Sequence, residues 1–326
     1  MSRAPSSFEL FHRYVVFDGE DVPEYEDEAH YIVLSKTRPD GTSCLCKHQR
    51  DALKAIKRWF PLKSRWEPHP PPAAPALIEL PTGSGKTGIL VLAPYLLKAK
   101  RTLILTPSPD VTRQVAVDWR GAQDVDDAKP PFMVKRELVT TAFWESPTGM
   151  RPADSVVALS SNTLKKALST HSSLVISNAH KFHGNTALGK PGEAPSADAM
   201  LAAFPKSFFD LVIVDEAHHF PARTWQNVVR YFSEAKTIFL TATAKNMPSA
   251  QLKSLREKVR SDYDDLPQVP CYSMTHDEAV RMEIIRETSF VNVSYEPQPT
   301  KKSAEDTLKD PLKDQMADDL AAMVHL

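Results

Sequence analysis

Leu80-Pro81-Thr82-Gly83-Ser84-Gly85-Lys86-Thr87 is the stretch whose reading decides the fold. The apolar run Ala76-Leu77-Ile78-Glu79-Leu80 leads into it, and a helix-forming run over residues 89–98 leads out. Strand, glycine-rich turn and helix, in that order, make a loop that holds phosphate. Gly83 and Gly85 let the backbone curl so that successive N–H groups point at one anion. The helix that follows begins with N–H groups lacking intrahelical partners, and its dipole favours negative charge there. Lys86 sits where an ammonium reaches the terminal phosphates, and Thr87 offers a hydroxyl to a divalent cation. Leu80 stands where the strict pattern has its first glycine. The bland reading is a Gly/Ser turn that happens to hold a lysine, and a second motif downstream weighs against it.

Composition sets the frame around that loop. A chain of 326 residues suggests about two domains, with enough length to bury a proper core. The formal net charge of −1 gives no global basic field, so any nucleic-acid contact must rest on a local patch. Three cysteines, Cys44, Cys46 and Cys271, give no disulfide framework, and Cys44-x-Cys46 lacks a second ligand pair for a metal. An intracellular, reducing compartment is expected. No apolar run reaches the roughly 18 residues of a membrane span, and residues 1–5 lack an apolar signal core, so no membrane partner is expected.

Upstream of the loop, residues 10–17 and 30–35 read as strands. Ala52, Leu53, Ile56 and Phe60 then follow a helical period, and Gln49 opens that helix. A side-chain amide there offers one donor and one acceptor, which suits an adenine edge; an ordinary polar helix start is the equal alternative. Downstream, residues 102–105, 156–159 and 173–176 read as buried strands. Residues 111–119 and 161–169 read as helices, residues 121–136 as a polar loop, and residues 183–197 as a surface insertion. Thr275-His276-Asp277-Glu278 looks like a capping box, residues 282–285 and 290–295 like strands. Leu308, Leu312, Met316 and Leu320 recur every fourth residue, as an amphipathic helix would have them.

The second chemical centre follows Asp210-Leu211-Val212-Ile213-Val214, a continuous apolar run of the kind that strands buried on both faces carry. It ends in Asp215-Glu216-Ala217-His218. Ligands of open α/β sheets lie beyond the carboxyl ends of the strands. Asp215 is therefore expected beside Mg²⁺ on the phosphates, and Glu216 where it could hold an attacking water. The bland reading is an acidic helix start stabilised by the dipole. Residues 235–240 form the next strand, ending in Thr241-Ala242-Thr243, whose hydroxyls either bond to His218 or Glu216 or merely cap the strand.

These motifs, in this order, resemble the first motor lobe of superfamily 2 helicases and translocases. They run from Gln49 within Lys47-His48-Gln49, through the loop from Pro81 to Thr87, Thr106-Pro107-Ser108 with Gln114, and Asp215-Glu216-Ala217-His218, to Thr241-Ala242-Thr243. The likeness is greatest to the DEAH-box group related to type III restriction subunits, and it spans residues 45–290. It implies a RecA-like α/β lobe, a mostly parallel sheet flanked by helices on both faces. Residues 1–44 would be a strand-rich extension and residues 291–326 a C-terminal extension with the amphipathic helix. It implies ATP held by Gln49, Pro81, Thr82, Gly83, Ser84, Gly85, Lys86 and Thr87, with Mg²⁺ on Thr87 and Asp215. Lys86, Asp215, Glu216 and His218 would be catalytic, Glu216 as general base. Thr241 and Thr243, with His218, would couple nucleotide state to nucleic-acid grip. Thr106, Pro107, Ser177 and Asn178 would touch a DNA or RNA backbone without reading bases.

Such motors need a second lobe bearing a Gln-x-x-Gly-Arg-x-x-Arg element, and nothing like it follows Thr243; Arg281 and Arg286 lack the intervening glycine. An arginine at the γ-phosphate is worth about 10³–10⁵ in rate. The chain alone is thus expected to bind ATP and hydrolyse it weakly or not at all, with a second RecA-like lobe supplied in trans or by a longer polypeptide. The alternative is a catalytically silent nucleotide-binding module that acts through a partner. A transporter-type ATPase would need a Leu-Ser-Gly-Gly-Gln-like signature, which the chain lacks.

Overall fold

The apolar runs become strands because both their faces are covered. The computed structural model of the chain describes residues 15–16, 32–60, 75–121, 129–145, 156–170, 172–182, 199–219, 222–242 and 271–286. All lie within one compact unit, Met1–Arg286. A two-residue parallel pair, β1 (Val15–Val16) with β2 (Ile32–Val33), stands apart from the main sheet. The main sheet has seven strands: β3 (Ala76–Glu79), β4 (Thr102–Thr106), β5 (Val156–Ala158), β6 (Leu174–Asn178), β7 (Leu211–Val214), β8 (Lys236–Thr241) and β9 (Tyr272–Ser273). Their order is β5-β6-β4-β7-β8-β3-β9, and every pairing is parallel. The fold is therefore α/β with a parallel sheet.

Side chains alternate across a strand, so each apolar run divides between two cores. Ile104, Ile176, Leu211, Ile213, Ile238 and Leu240 enter one cluster. Their neighbours Leu103, Leu105, Val175, Val212, Val214 and Phe239 enter the other. Helices α1 (Lys47–Trp59), α2 (Thr87–Leu96) and α3 (Pro109–Arg120) pack on the first face. Helices α6 (Ser161–Ser169) and α8 (Arg223–Tyr231) pack on the second, through Leu164, Ala167, Trp225, Val228 and Val229. Every residue of α2 from Gly88 to Leu96 is buried. A helix apolar all round belongs in the interior, and this one is fixed at the centre of its face.

Only ten glycines serve 326 residues, and helix ends show the consequence. Lys98, Glu137 and Glu283 take the left-handed conformation just past α2, α4 (Phe132–Lys135) and α9 (His276–Arg281). At each, the next residue's N–H reaches back five residues: Ala99 to Pro94, Leu138 to Met133, Ile284 to Ala279. This is the Schellman closure, normally made by glycine, here at a cost of about 1 kcal/mol per side chain.

Two readings are corrected by that closure. Residues 282–285 are not a strand. Ile284 and Ile285 are apolar because they fold back on the end of α9 and pack against the first core. Residues 121–136 are not all polar loop, since Phe132 and Met133 bury themselves in α4. The capping box at Thr275 is present, with Glu278 N–H on the Thr275 hydroxyl at 3.2 Å and Thr275 N–H on the Glu278 carboxylate at 2.7 Å. The sequence pattern missed α5 (Thr141–Glu145), α7 (Ala199–Ala202), α8 and the edge strand β9. The insertion at 183–197, the strand at 290–295, the helix over 308–320 and Thr243 lie outside the described residues. Among the described residues no helix is long and apolar enough to cross a membrane.

Candidate active site

All seven strands run the same way, so every loop leaving a strand end opens on one rim. The loop after β3 and the acidic turn after β7 are separated only by β8. Leu80 N–H donates to Thr241 O at 2.9 Å, tying the root of the loop to the end of β8. Asp215 N–H donates to Leu105 O at 2.9 Å and ties the acidic turn to β4.

Within the loop, Gly83 and Gly85 both have φ +81°, a region that side chains rarely enter. The Ser84 hydroxyl donates to Pro81 O at 2.7 Å and closes the turn on itself. Two carbonyls of the loop are held from below by the start of α1. His48 Nε2 lies 2.6 Å from Ser84 O, and Gln49 Nε2 donates to Gly85 O at 2.7 Å. Gln49 Oε1 accepts from Cys46 N–H at 3.1 Å. A Cβ on Gly85 or Gly88 would stand 2.7 Å from Gln49 Nε2, so both glycines make room for that amide. Gln49 is wholly buried and engaged with the loop, rather than presented to a base edge. Thr82 and Gly83 are exposed at the crown, and Lys86 and Thr87 are half-buried at the start of α2.

Lys86 Nζ donates to Glu216 Oε1 at 2.7 Å, 130 positions away in sequence. Glu216 reaches it because its own φ is +50°. Among the described residues it is the one non-glycine with positive φ that does not close a helix, and strain of this kind gathers at functional sites. Asp215 beside it is buried, and among the described residues its Oδ1 has no hydrogen-bond partner; nor does Glu216 Oε2. Burial pushes the Asp215 carboxyl up to about 6; Lys86 pulls it down and Glu216 pushes it further up. His218 Nδ1 stands 3.4 Å from Glu216 Oε2, and its ring lies against His219 at 4.2 Å between centroids. Burial, then His219, holds His218 below the usual histidine range, so at neutral pH that contact is not an ion pair.

The remaining candidate residues divide. Thr241 is fully buried and its hydroxyl donates to Ala242 O at 3.1 Å, not to His218 or Glu216. Thr106 and Ser177 are fully buried, and Asn178 nearly so. Asn178 Nδ2 donates to Thr106 O at 3.1 Å and to Pro107 O at 2.7 Å, while its Oδ1 accepts from His180 N–H at 2.9 Å. These three side chains brace the ends of β4 and β6 from inside, which leaves Pro107, half-buried, as the one of the four turned partly to solvent. His48 carried no signal in the sequence beyond its place next to Gln49.

The profile of the type III restriction enzyme res subunit matches residues 43–246, more than half of the chain. The chain belongs to the res subunit family. The family match runs from the start of α1 past the end of β8, so it takes in the phosphate loop, Asp215, Glu216 and Thr241. No individual curated protein matches in sequence. Similar solved structures include the UvsW helicase of bacteriophage T4, at 16% identity over 64% of this chain and 56% of that one, with a TM-score of 0.36. The helicase domain of Hef from Pyrococcus furiosus is similar at 16% identity over 65% and 35%, TM-score 0.42. Mss116p, in a structure bound to ssRNA and AMP-PNP, is similar at 15% over 76% and 46%, TM-score 0.35. The chain thus spans from about a third to just over half of those proteins' lengths.

Proposed function

We propose that residues 45–290 of this res-subunit-family chain are the ATP-binding lobe of a nucleic-acid-dependent ATPase of the DEAH-box kind. The observation that carries this reading is the contact between Lys86 and Glu216, with the unpartnered Asp215 Oδ1 beside it. A lysine on a phosphate loop and two adjacent carboxylates at a strand end make sense together when a triphosphate and a divalent cation come between them. The residues present fit both groups. A buried, unpartnered carboxylate oxygen is a ready ligand for a cation, and Mg²⁺ takes one or two protein oxygens along with substrate phosphates. Thr87 and Asp215 would hold it, and it would supply charge neutralisation across the phosphate oxygens.

The chain's own groups then have distinct tasks. The loop N–H groups and Lys86 bind and orient phosphate oxygens. Lys86 exchanges Glu216 for phosphate as its partner, which frees Glu216 to hold a water and accept its proton. Neutral His218 neither competes with Lys86 for Glu216 nor neutralises that carboxylate. The buried Thr106, Ser177 and Asn178 shape the strand-end turn, and Pro107 with the backbone around it meets a phosphodiester chain of either DNA or RNA. Arginines from a second lobe, in the same polypeptide or in trans, complete the site. Residues 1–326 alone turn over slowly.

The test is nucleotide binding and turnover by the chain, alone and with single-stranded DNA or RNA, in wild type and Lys86→Ala. Wild type binds Mg·ATP, and Lys86→Ala weakens that binding by about 100-fold or more, since the lost contacts are charge-assisted. Undiminished affinity in Lys86→Ala would overturn the site assignment.

A further inference from the structure

The start of α1 does more than pack against the loop. In a planar trans peptide the C=O of one residue and the N–H of the next point in opposite directions. Whatever fixes a loop carbonyl inward therefore fixes the following N–H outward. Ser84 O is held at 2.6 Å by His48 Nε2, and Gly85 O at 2.7 Å by Gln49 Nε2. The N–H groups so turned out are those of Gly85 and Lys86, which sit at the anion-facing side of a phosphate loop.

We propose that His48 is a positioning residue of the phosphate loop: it holds the Ser84–Gly85 peptide in the orientation that aims Gly85 N–H at a bound phosphate. Three observations carry this, and the inference rests on the nucleotide-binding reading above. Ser84 O can only accept, so Nε2 carries a hydrogen, and burial holds the ring below the usual histidine range, so at neutral pH Nδ1 carries a bare lone pair. Nδ1 is buried with no partner among the described residues, and the residue is 1% exposed. An apolar side chain of similar size would fill the same space without that orphaned nitrogen, so packing alone disfavours histidine here. Finally, Ser84 lies between the two glycines with φ +81°, where the backbone has the most freedom to turn its peptide over. His48 removes that freedom from below.

The experiment measures binding of three probes, Mg·ATP, Mg·GTP and Mg·tripolyphosphate, to the full chain in wild type, His48→Leu and His48→Gln, with a thermal melt on each variant. Leucine fills the space and cannot donate; glutamine restores an N–H donor. His48→Leu weakens all three probes by a common factor of about 5- to 20-fold, the worth of one to two hydrogen bonds. His48→Gln returns affinity to within about threefold of wild type. His48→Met is the donor-free variant to use if His48→Leu does not fold. Tripolyphosphate binding unchanged in the donor-free variant overturns the proposal, as does equal weakness in His48→Gln, which would mark a packing role. Loss confined to ATP would mark a base-side effect and overturns it too. A wild-type chain that binds none of the three probes overturns the nucleotide-binding reading itself, and this one with it.

Discussion

Two polar clusters stand on the same rim of the sheet, with β4 between the strands that carry them, and they differ in how their atoms are engaged. At the end of β6, Asn178 makes three hydrogen bonds, and the Thr106 hydroxyl lies within bonding distance of Thr112 and of Ser177 O. At the end of β7, Asp215 and Glu216 each keep one buried oxygen with no hydrogen-bond partner among the described residues. Orphaned buried acceptors cost about 1–3 kcal/mol each, so a fold keeps them only where something else is served. The first cluster is complete in itself and acts as scaffold. The second is stable only at a cost that a ligand would recover. Removing polar atoms from the two should therefore change stability in opposite directions.

The largest effect is expected at Asp215. Its folded value of about 6 lies above the ordinary carboxylate value of 3.8. Below pH 3.8 both folded and unfolded chains hold the proton, and the group is neutral to stability. Between there and pH 6 only the folded chain holds it, so stability falls as pH rises through that window and stays low above it. Asp215→Asn removes the ionisation. It should stabilise the ligand-free chain by about 3 kcal/mol at pH 7.5, with almost no gain at pH 4. Denaturant melts at the two pH values measure this. Adding Mg·ATP should reverse the order at pH 7.5, because only the wild type offers the cation the buried Asp215 carboxylate. A variant equally stable at both pH values would mean the buried carboxyl carries no such cost.

The complete cluster should respond the other way. Asn178→Ala deletes donors to Thr106 O and Pro107 O and the acceptor for His180 N–H, all in a nearly water-free corner. A loss of about 2 kcal/mol is expected, with little dependence on pH between 4 and 7.5, since no titrating group is removed. The same melts that score Asp215→Asn score this. A stabilising outcome would erase the contrast between the clusters.

How much of this was open to a reader of the sequence follows from the same physics. Strands β4, β6, β7 and β8 were legible because burial on both faces demands unbroken apolar runs, and Ile213 beside Val214 is such a run whichever core each enters. That the Lys86 loop and the acidic turn share a rim was legible because parallel strands send all their C-terminal loops to one side, whereas the direct contact of Lys86 with Glu216 was not. Helix α8 did carry a signal, Trp225 with Val228 and Val229, but among polar neighbours that period is easily passed over. The turn at 282–285 was misread because Ile284 and Ile285 look like strand residues, whereas a left-handed Glu283 in place of glycine hid the helix end. The loop-holding contacts of His48 and Gln49 and the bracing bonds of Asn178 were not legible. Each depends on a contact 36 or more positions away, and no local pattern records which carbonyl will lie within 3 Å.

The smallest effect separates a hydrogen bond from an orphaned group. Thr112 Oγ1 lies 2.6 Å from Thr106 Oγ1 and donates to Ser108 O at 2.9 Å. Thr112→Val keeps the shape and the β-branch and deletes only that oxygen. The Thr106 hydroxyl does not lose its last acceptor, because Ser177 O remains at 3.3 Å. Ser108 keeps its place at the start of α3 through Val111 N–H on its own hydroxyl, also at 3.3 Å. With no donor left stranded, the loss should be about 1 kcal/mol or less, the net worth of one neutral bond. A loss as large as that of Asn178→Ala would mean the corner is a cooperative network in which each bond strengthens the next. The double variant decides it: losses that add mark independent bonds, and a sum well short of additive marks a shared one.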